Sequence, residues 1–445
     1  MITIGENVFR DYLFLHHKED LASLIVGRRA PVEWTEDSFP SIRFLLQRQA
    51  ERRINGILDN LQTLVLTAKE LALDRGANHP TRVDLFGGSV DSGVTIIELK
   101  KSAQTERQAF TELLAYANYF CSIFPGLEEQ TITSVLVANM ETRTARDAYV
   151  QELVFNKKQV LSLIPHEVNE KFTLEVFYPN ESYYQGFENN IVHDNSMACV
   201  AIAFPLIEGW IDSDLKSADQ SLPSYSADAL NDISSSIAQK LEADGYHAIV
   251  YANQKWGNIA TIFPYPNVIF VAAINPFASH RTSVHEGEVY GDSEEGRIAQ
   301  VQAIYDQLTD EGKEGNWVDA FENHFQSALI RCVRDQMELC FLSGLGEVKI
   351  EISLPDWGGI KSSSIDSVFV HNLNAHTTGL LREIYLEYIR HVYEKGFDDI
   401  FYSDDLPGYA YKMLYPFLPV WEIVKGLGHA DEEMSEEEEG IEEDD

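Results

Sequence analysis

The sequence predicts an α/β protein in which helices flank a mixed central β-sheet, followed by a second α/β or α+β domain and a disordered acidic tail. Over residues 1–180, short apolar runs bounded by turn residues alternate with amphipathic stretches of helical period. A second series of the same kind fills residues 181–430. Hydrophobic residues make up 44% of the 445-residue chain, which suffices for the cores of two or three domains.

The first domain, residues 1–180, begins with short helical or irregular pieces that end at Pro40. Its pattern stops near residues 179–183, where we place the domain boundary. The later elements that we predict are a helix over 41–75, a hairpin over 82–100, a helix over 103–124, a strand over 131–138, a short helix over 143–152, and strands or edge pieces over 158–164 and 172–178.

The second domain, residues 181–430, contains no phosphate-binding glycine loop, nucleophile elbow or zinc-site spacing. We therefore expect it to serve recognition, oligomerisation or regulation. Its predicted elements are strands over 198–204, 248–251, 259–263, 268–273 and 347–353, helices over 227–243, 297–342 and 378–396, and a loop over 276–296.

The net charge of -37 counts against nucleic-acid binding, because an acidic protein repels the phosphate backbone. The charge is uneven, however. Residues 1–180 carry 24 acidic and 19 basic side chains, whereas residues 181–430 carry 36 and 15. The first domain is nearly neutral and can bind nucleic acid through a local basic rim, since distant charges are screened. The acidic second domain favours a protein partner.

The tail, residues 431–445, has 11 acidic and no basic side chains and is too charged to form a core. Three roles stay open: solubility, competition with nucleic acid for the basic rim, and docking of a partner protein. The chain has no apolar run that would span a membrane and no secretory signal. Four cysteines without metal-site spacing indicate reduced thiols in a cytoplasmic protein.

The hairpin over 82–100 carries the residues most suited to chemistry. Alternation along a strand puts Glu98 and Lys100 on one face, and a turn about residues 91–92 sets Asp84 opposite them, with Cβ atoms roughly 5 Å apart. Two carboxylates that close repel each other unless a cation neutralises both. Mg²⁺, with Mn²⁺ as a substitute, suits such a pair, and Lys100 would orient or deprotonate a water or balance developing charge. A surface hairpin with an Asp84–Lys100 salt bridge is the plainer alternative.

An acid on one strand followed by Glu-x-Lys on the next resembles the signature of the PD-(D/E)xK nuclease superfamily. The resemblance covers about residues 40–165 and implies a restriction-endonuclease-like fold, a metal held by Asp84, Glu98 and the carbonyl of Leu99, and phosphodiester hydrolysis. Many members carry Gln-x-x-x-Tyr on the following helix. Here Glu112 and Tyr116 hold those positions, and Gln108 lies one turn earlier as an alternative.

A third metal ligand is expected from the preceding helix, where Glu51 lies beside an apolar stripe. Pairing of Glu51 with Arg48 or another neighbour on a solvated face is an equal alternative. The basic residues that flank the predicted site are candidate phosphate contacts. They are Arg52 and Arg53, both expected to face outward, with Lys101 and Arg107.

The function that we expect is a Mg²⁺-dependent nuclease that cuts DNA, or less readily RNA, through a metal-activated water. The resemblance also implies a role in genome maintenance or in defence against foreign DNA. The competing hypothesis is a non-catalytic protein of the same fold whose acidic second half binds a protein partner or mimics nucleic acid, and self-association is open in both cases.

Overall fold

The chain divides into two compact units, Met1–Phe187 and Glu188–Asp445. The structure, a computed structural model, describes residues 4–34, 40–73, 81–91, 93–124, 131–169, 171–184, 187, 197–205, 224–254, 265–277, 283–285, 288–290, 302–314, 317–344, 349–356, 360, 367 and 373–386. The predicted strand over 259–263 and the acidic tail lie outside these residues.

The first unit contains a seven-stranded mixed sheet, which confirms the predicted α/β class. Its strands are β1 (Ile25–Val26), β2 (Val65–Ala72), β3 (Arg82–Ser89), β4 (Gly93–Leu99), β5 (Ile132–Val137), β6 (Val160–Val168) and β7 (Lys171–Val176). They lie in the order β1-β7-β6-β5-β4-β3-β2. The three central strands β4, β5 and β6 are parallel, whereas β2, β3 and β4 form an antiparallel meander at one side.

Within the described part of the unit, four α-helices accompany this sheet, and three of them begin at a hydroxyl side chain. They are α1 (Glu6–His16), α2 (Ile42–Asn60), α3 (Ala103–Ile123) and α4 (Arg143–Val150). The hydroxyl oxygens of Ser41, Ser102 and Thr142 each accept a hydrogen bond from the backbone N–H three residues later. Such caps satisfy an otherwise unpaired N–H and fix where a helix begins.

The predicted hairpin is confirmed, but the predicted helix over 41–75 is wrong beyond Asn60. A single 3₁₀ turn follows α2, and the chain then enters β2, which pairs with β3 from Val65 to Ala72. The apolar stripe misled the prediction because Leu61 and Leu64 keep the helical spacing of the stripe and are both buried. Pairing with β3 decides the conformation of this segment.

The second unit contains a five-stranded sheet in which all described pairs are antiparallel. Its strands, in the order β13-β8-β10-β9-β14, are β13 (Glu351–Ser353), β8 (Met197–Phe204), β10 (Asn267–Ile274), β9 (Ala248–Gln254) and β14 (Ala375–Thr377). Helix α5 (Ser224–Ala243) and the long helix Trp317–Gly344 contribute Ile237 and Val333 to one buried core with the sheet.

One prediction in this unit needs correction, and two fall partly outside the described residues. The loop over 276–296 contains a small hairpin of β11 (Ser283–His285) and β12 (Glu288–Tyr290). The strand over 347–353 is described only as β13. Residues 379–386 are helical, which covers part of the predicted helix over 378–396. No helix among the described residues is long and apolar enough to cross a membrane.

Close strand packing at Gly87 yields a first prediction. A Cβ there would overlap with the carbonyl oxygen of Val65 on β2, whereas one at Gly56, in the exposed interior of α2, meets nothing within 4 Å. We expect Gly87→Ala to destabilise the full chain by about 1–3 kcal/mol. Gly56→Ala, the matched control, should stabilise it by up to about 1 kcal/mol. Urea unfolding followed by circular dichroism measures both, and equal stabilities would contradict the packing.

Candidate functional site

The hairpin of β3 and β4 brings Asp84 and Glu98 to the same end of the sheet. Its register pairs Leu85 with Ile97, and one further step sets Asp84 opposite Glu98. Val83 and Leu85 are buried on one face of β3, so Asp84 projects from the opposite face, where Arg10 of α1 contacts it. The backbone N–H of Leu99 donates a hydrogen bond to Oδ2 of Asp84 at 3.0 Å, which anchors the carboxylate to β4.

Glu98 is buried, with 3% of its surface exposed. Its Oε1 lies 2.5 Å from Nζ of Lys100, and its Oε2 is buried and makes no hydrogen bond of ordinary geometry within the described residues, although the carboxyl also interacts with the Tyr116 hydroxyl and with Glu112. Burial first, and then the negative charge of Asp84, raise the pKa of Glu98 to about 8. A buried carboxylate oxygen without a well-formed hydrogen bond is costly, and a bound cation would compensate for it.

Lys100 joins two carboxylates. Its Nζ lies 2.5 Å from Glu98 and 2.6 Å from Glu112, which projects from α3. Burial opposes the charged form, but Glu98 and Glu112 outweigh it and hold the pKa of Lys100 above its usual range. Lys100 therefore stays protonated and acts as a cation instead of deprotonating a water.

Helix α3 supplies Glu112 and Tyr116 on one face, as the spacing of four predicts. Gln108 is exposed one turn earlier, so Glu112 rather than Gln108 reaches Lys100. Tyr116 is buried, and its hydroxyl donates to the carbonyl of Arg82 at 2.9 Å. Burial and the charges of Glu98, Glu112 and Asp84 raise the pKa of Tyr116, so its hydroxyl stays neutral.

Helix α1 contributes two residues that the sequence did not reveal. Nη1 of Arg10 lies 3.3 Å from Oδ1 of Asp84, and Nη2 lies 3.1 Å from Glu70 on β2. Glu6, one turn before Arg10, is half-buried, and burial followed by the charge of Asp84 raises its pKa. The only sequence signal was charge at positions 6 and 10 beside the apolar Phe9 and Leu13, an ordinary amphipathic pattern.

The structure does not bring Glu51 to these carboxylates. Its Oε2 accepts from the backbone N–H of Val32 at 2.8 Å, and its Oε1 accepts from Gln47 at 3.1 Å and lies 3.5 Å from Arg29. Both oxygens are thus engaged in holding the segment before α2 against that helix. Glu51 thus pairs with a neighbour, as the plainer alternative predicts, but the partner is Arg29 instead of Arg48 and Glu51 is buried instead of solvated.

The four predicted phosphate contacts have different surroundings. Arg53 is partly buried and donates to the carbonyl of Leu153, which corrects the expectation that it faces outward. Arg52 is exposed on α2. Lys101 is exposed at the end of the hairpin, where its Nζ donates to the carbonyl of Ile4 at 2.8 Å. Arg107 belongs to α3, and its side chain lies outside the described part of the chain.

The residues at the hairpin end fit a divalent cation of the Mg²⁺ type. Asp84 and Glu98 supply two carboxylates, and Oε2 of Glu98 makes no hydrogen bond of ordinary geometry among the described residues that would compete with a bond to the metal. Within the described residues, no group of three or more His, Cys, Asp or Glu side chains is arranged to hold a metal. Two carboxylates completed by waters and substrate oxygens suit Mg²⁺, which rarely occupies an all-protein cage.

Comparison of the chain with family models, with curated proteins and with solved structures finds no match.

The raised pKa of Glu98 predicts a pH-dependent stability. Because the folded-state pKa of about 8 exceeds the model value of 4.5, the folded protein binds the extra proton. The resulting stabilisation is fully present below about pH 4.5 and is lost as the pH rises to about 8. With EDTA present, unfolding free energy should therefore fall with pH more steeply in the wild type than in Glu98→Gln, by up to ~1.4 kcal/mol per pH unit.

Urea titrations across this pH range measure the effect. Glu181→Gln, which removes an exposed carboxyl from the same unit, is the control and should retain the wild-type slope. Parallel slopes for the wild type and Glu98→Gln would refute the protonation of Glu98.

Proposed function

We propose that the first unit is a Mg²⁺-dependent nuclease that hydrolyses phosphodiester bonds in nucleic acid, with DNA as the first substrate to test. We also propose that its mixed sheet has the restriction-endonuclease-like fold. The observation that carries the proposal is the pairing of Asp84 with the almost fully buried Glu98 at one sheet end, beside Lys100.

Asp84, Glu98 and the backbone carbonyl of Leu99 would hold the ion. The chemistry that a bound Mg²⁺ supplies is polarisation of a phosphoryl oxygen and a lower pKa for a coordinated water. The N–H of Leu99 and the guanidinium of Arg10 orient the carboxylate of Asp84 from two sides. A ligand held in place before binding needs no rearrangement, which favours binding in one geometry.

Lys100 and Glu6 take separate roles. Lys100 remains protonated between Glu98 and Glu112, so its ammonium group offsets negative charge that develops on the phosphate. Glu6 is half-buried beside Asp84 and Lys100, whose charges affect its pKa, so its carboxylate is placed to accept a proton from the attacking water. We therefore assign proton transfer to the Glu6 carboxylate.

The decisive experiment incubates the purified full chain with linear, circular and single-stranded DNA and with RNA, in Mg²⁺, in Mn²⁺ and in EDTA. We expect metal-dependent cleavage that Asp84→Asn, Glu98→Gln and Lys100→Ala each lower by more than ~100-fold, because each disrupts the metal site or its charge balance. Asp59→Asn, which removes an exposed carboxylate paired with Arg28, should cleave like the wild type. Cleavage that survives in Asp84→Asn would rule out this site.

A non-catalytic role is the second candidate, and one observation favours it. Each carboxylate already has a protein cation, Arg10 beside Asp84 and Lys100 beside Glu98. An ionic cluster neutralised in this way can stabilise the hairpin end without a metal. Titration of the full chain with Mn²⁺ separates the candidates: binding that Asp84→Asn weakens supports the nuclease, whereas no binding supports the ionic cluster.

A further inference from the structure

Three cations lie around the paired carboxylates, and they differ in their access to solvent. The side chains of Arg10 and Lys100 are 8% and 10% exposed, and both are held by acids within 3.3 Å. The side chain of Arg82 is 54% exposed, and its Nη1 lies 4.0 Å from Oε2 of Glu70. Of these three, only Arg82 presents its charge to solvent.

The position of Arg82 in the sheet relates it directly to the candidate metal centre. It lies two residues before Asp84 on β3, so the two side chains project from the same face, roughly 7 Å apart along the strand. Continuing the register of Leu85 with Ile97 sets Arg82 opposite Lys100. Arg82 is thus the solvent-exposed neighbour of Asp84 on the face of the hairpin that carries both carboxylates.

Glu70 links Arg82 to the rest of the cluster. It contacts Arg10 through Oε1 at 3.1 Å and Arg82 through Oε2 at 4.0 Å, so one carboxylate joins a buried and an exposed guanidinium. Its backbone has a φ of 49°, in the left-handed region that non-glycine residues seldom adopt. This conformation on the edge strand β2 accompanies the approach of its side chain to both arginines.

We propose that Arg82 binds a backbone phosphate of the nucleic acid next to the one that is cleaved, and that Glu70 is a positioning residue for Arg82. This inference rests on the proposed function. A guanidinium forms two parallel hydrogen bonds with phosphate oxygens, and the loose contact with Glu70 leaves its donors accessible.

The test measures binding of a fluorescein-labelled 20-nucleotide DNA, single- and double-stranded, by anisotropy over a series of salt concentrations, with Ca²⁺ replacing Mg²⁺. We expect Arg82→Ala in the full chain to weaken binding about tenfold. It should also reduce the slope of log affinity against log salt by about 1, because one phosphate contact is lost. Arg82→Lys should recover part of the affinity, and Glu70→Gln should give an intermediate loss.

Arg28→Ala is the matched control. Arg28 is 47% exposed, pairs with a single acid, Asp59, and follows β1, five strand positions or about 24 Å from β3. It should bind like the wild type. A merely structural role for Arg82 would lower thermal stability without changing the salt slope.

The outcomes separate the two proposals. If the wild type cleaves DNA and Arg82→Ala keeps both its affinity and its salt slope, the role of Arg82 is wrong and the nuclease stands. If the wild type neither binds nor cleaves any nucleic acid, the proposed function fails and the role of Arg82 fails with it.

Discussion

The juxtaposition of Asp84 and Glu98 is the constraint around which the first unit is arranged. Two carboxylates at one end of a hairpin repel each other, and one of them is almost fully buried. The fold compensates from both sides, with Arg10 reaching Asp84 from α1 and Lys100 reaching Glu98 from the end of β4. The position of α1 over β2 and β3 therefore follows partly from charge and not only from apolar packing.

The compensation of the two negative charges is incomplete on the Glu98 side. Lys100 satisfies one oxygen of Glu98 and leaves the other without a hydrogen bond of ordinary geometry among the described residues, while Arg10 and the Leu99 N–H engage the two oxygens of Asp84. A cation between the two strands would reduce the repulsion between Asp84 and Glu98, and it would give the second oxygen of Glu98 a partner. The electrostatics of the described residues alone thus favour cation binding at this place.

Local patterns predicted the hairpin, because a period of two and a turn at residues 91–92 fix which side chains share a face. The family resemblance, and not a local pattern, set Glu112 and Tyr116 in corresponding positions on α3. Local patterns did not predict Arg10 or Glu6, since these reach the site only when α1 packs on the sheet, which no local period encodes. For Glu51 the local pattern correctly gave a place on α2 beside an apolar stripe. Its partners, Val32 and Arg29, come from tertiary contacts that the pattern does not encode.

Stability alone gives little reason for such a cluster. Replacing buried ion pairs with apolar residues of similar volume is often neutral or stabilising, because the cost of removing charges from water exceeds their attraction. A sheet end rich in Val, Ile and Leu could be closed with further apolar side chains, as the opposite face of β3 is closed by Val83 and Leu85. A cluster that holds Glu98 at a pKa of about 8 instead stores unfavourable electrostatic energy at one point on the surface of the sheet. Binding of a proton or of a cation releases this energy, and this asymmetry between the two faces of β3 is a physical argument that the hairpin end is a binding site and not only a structural salt bridge.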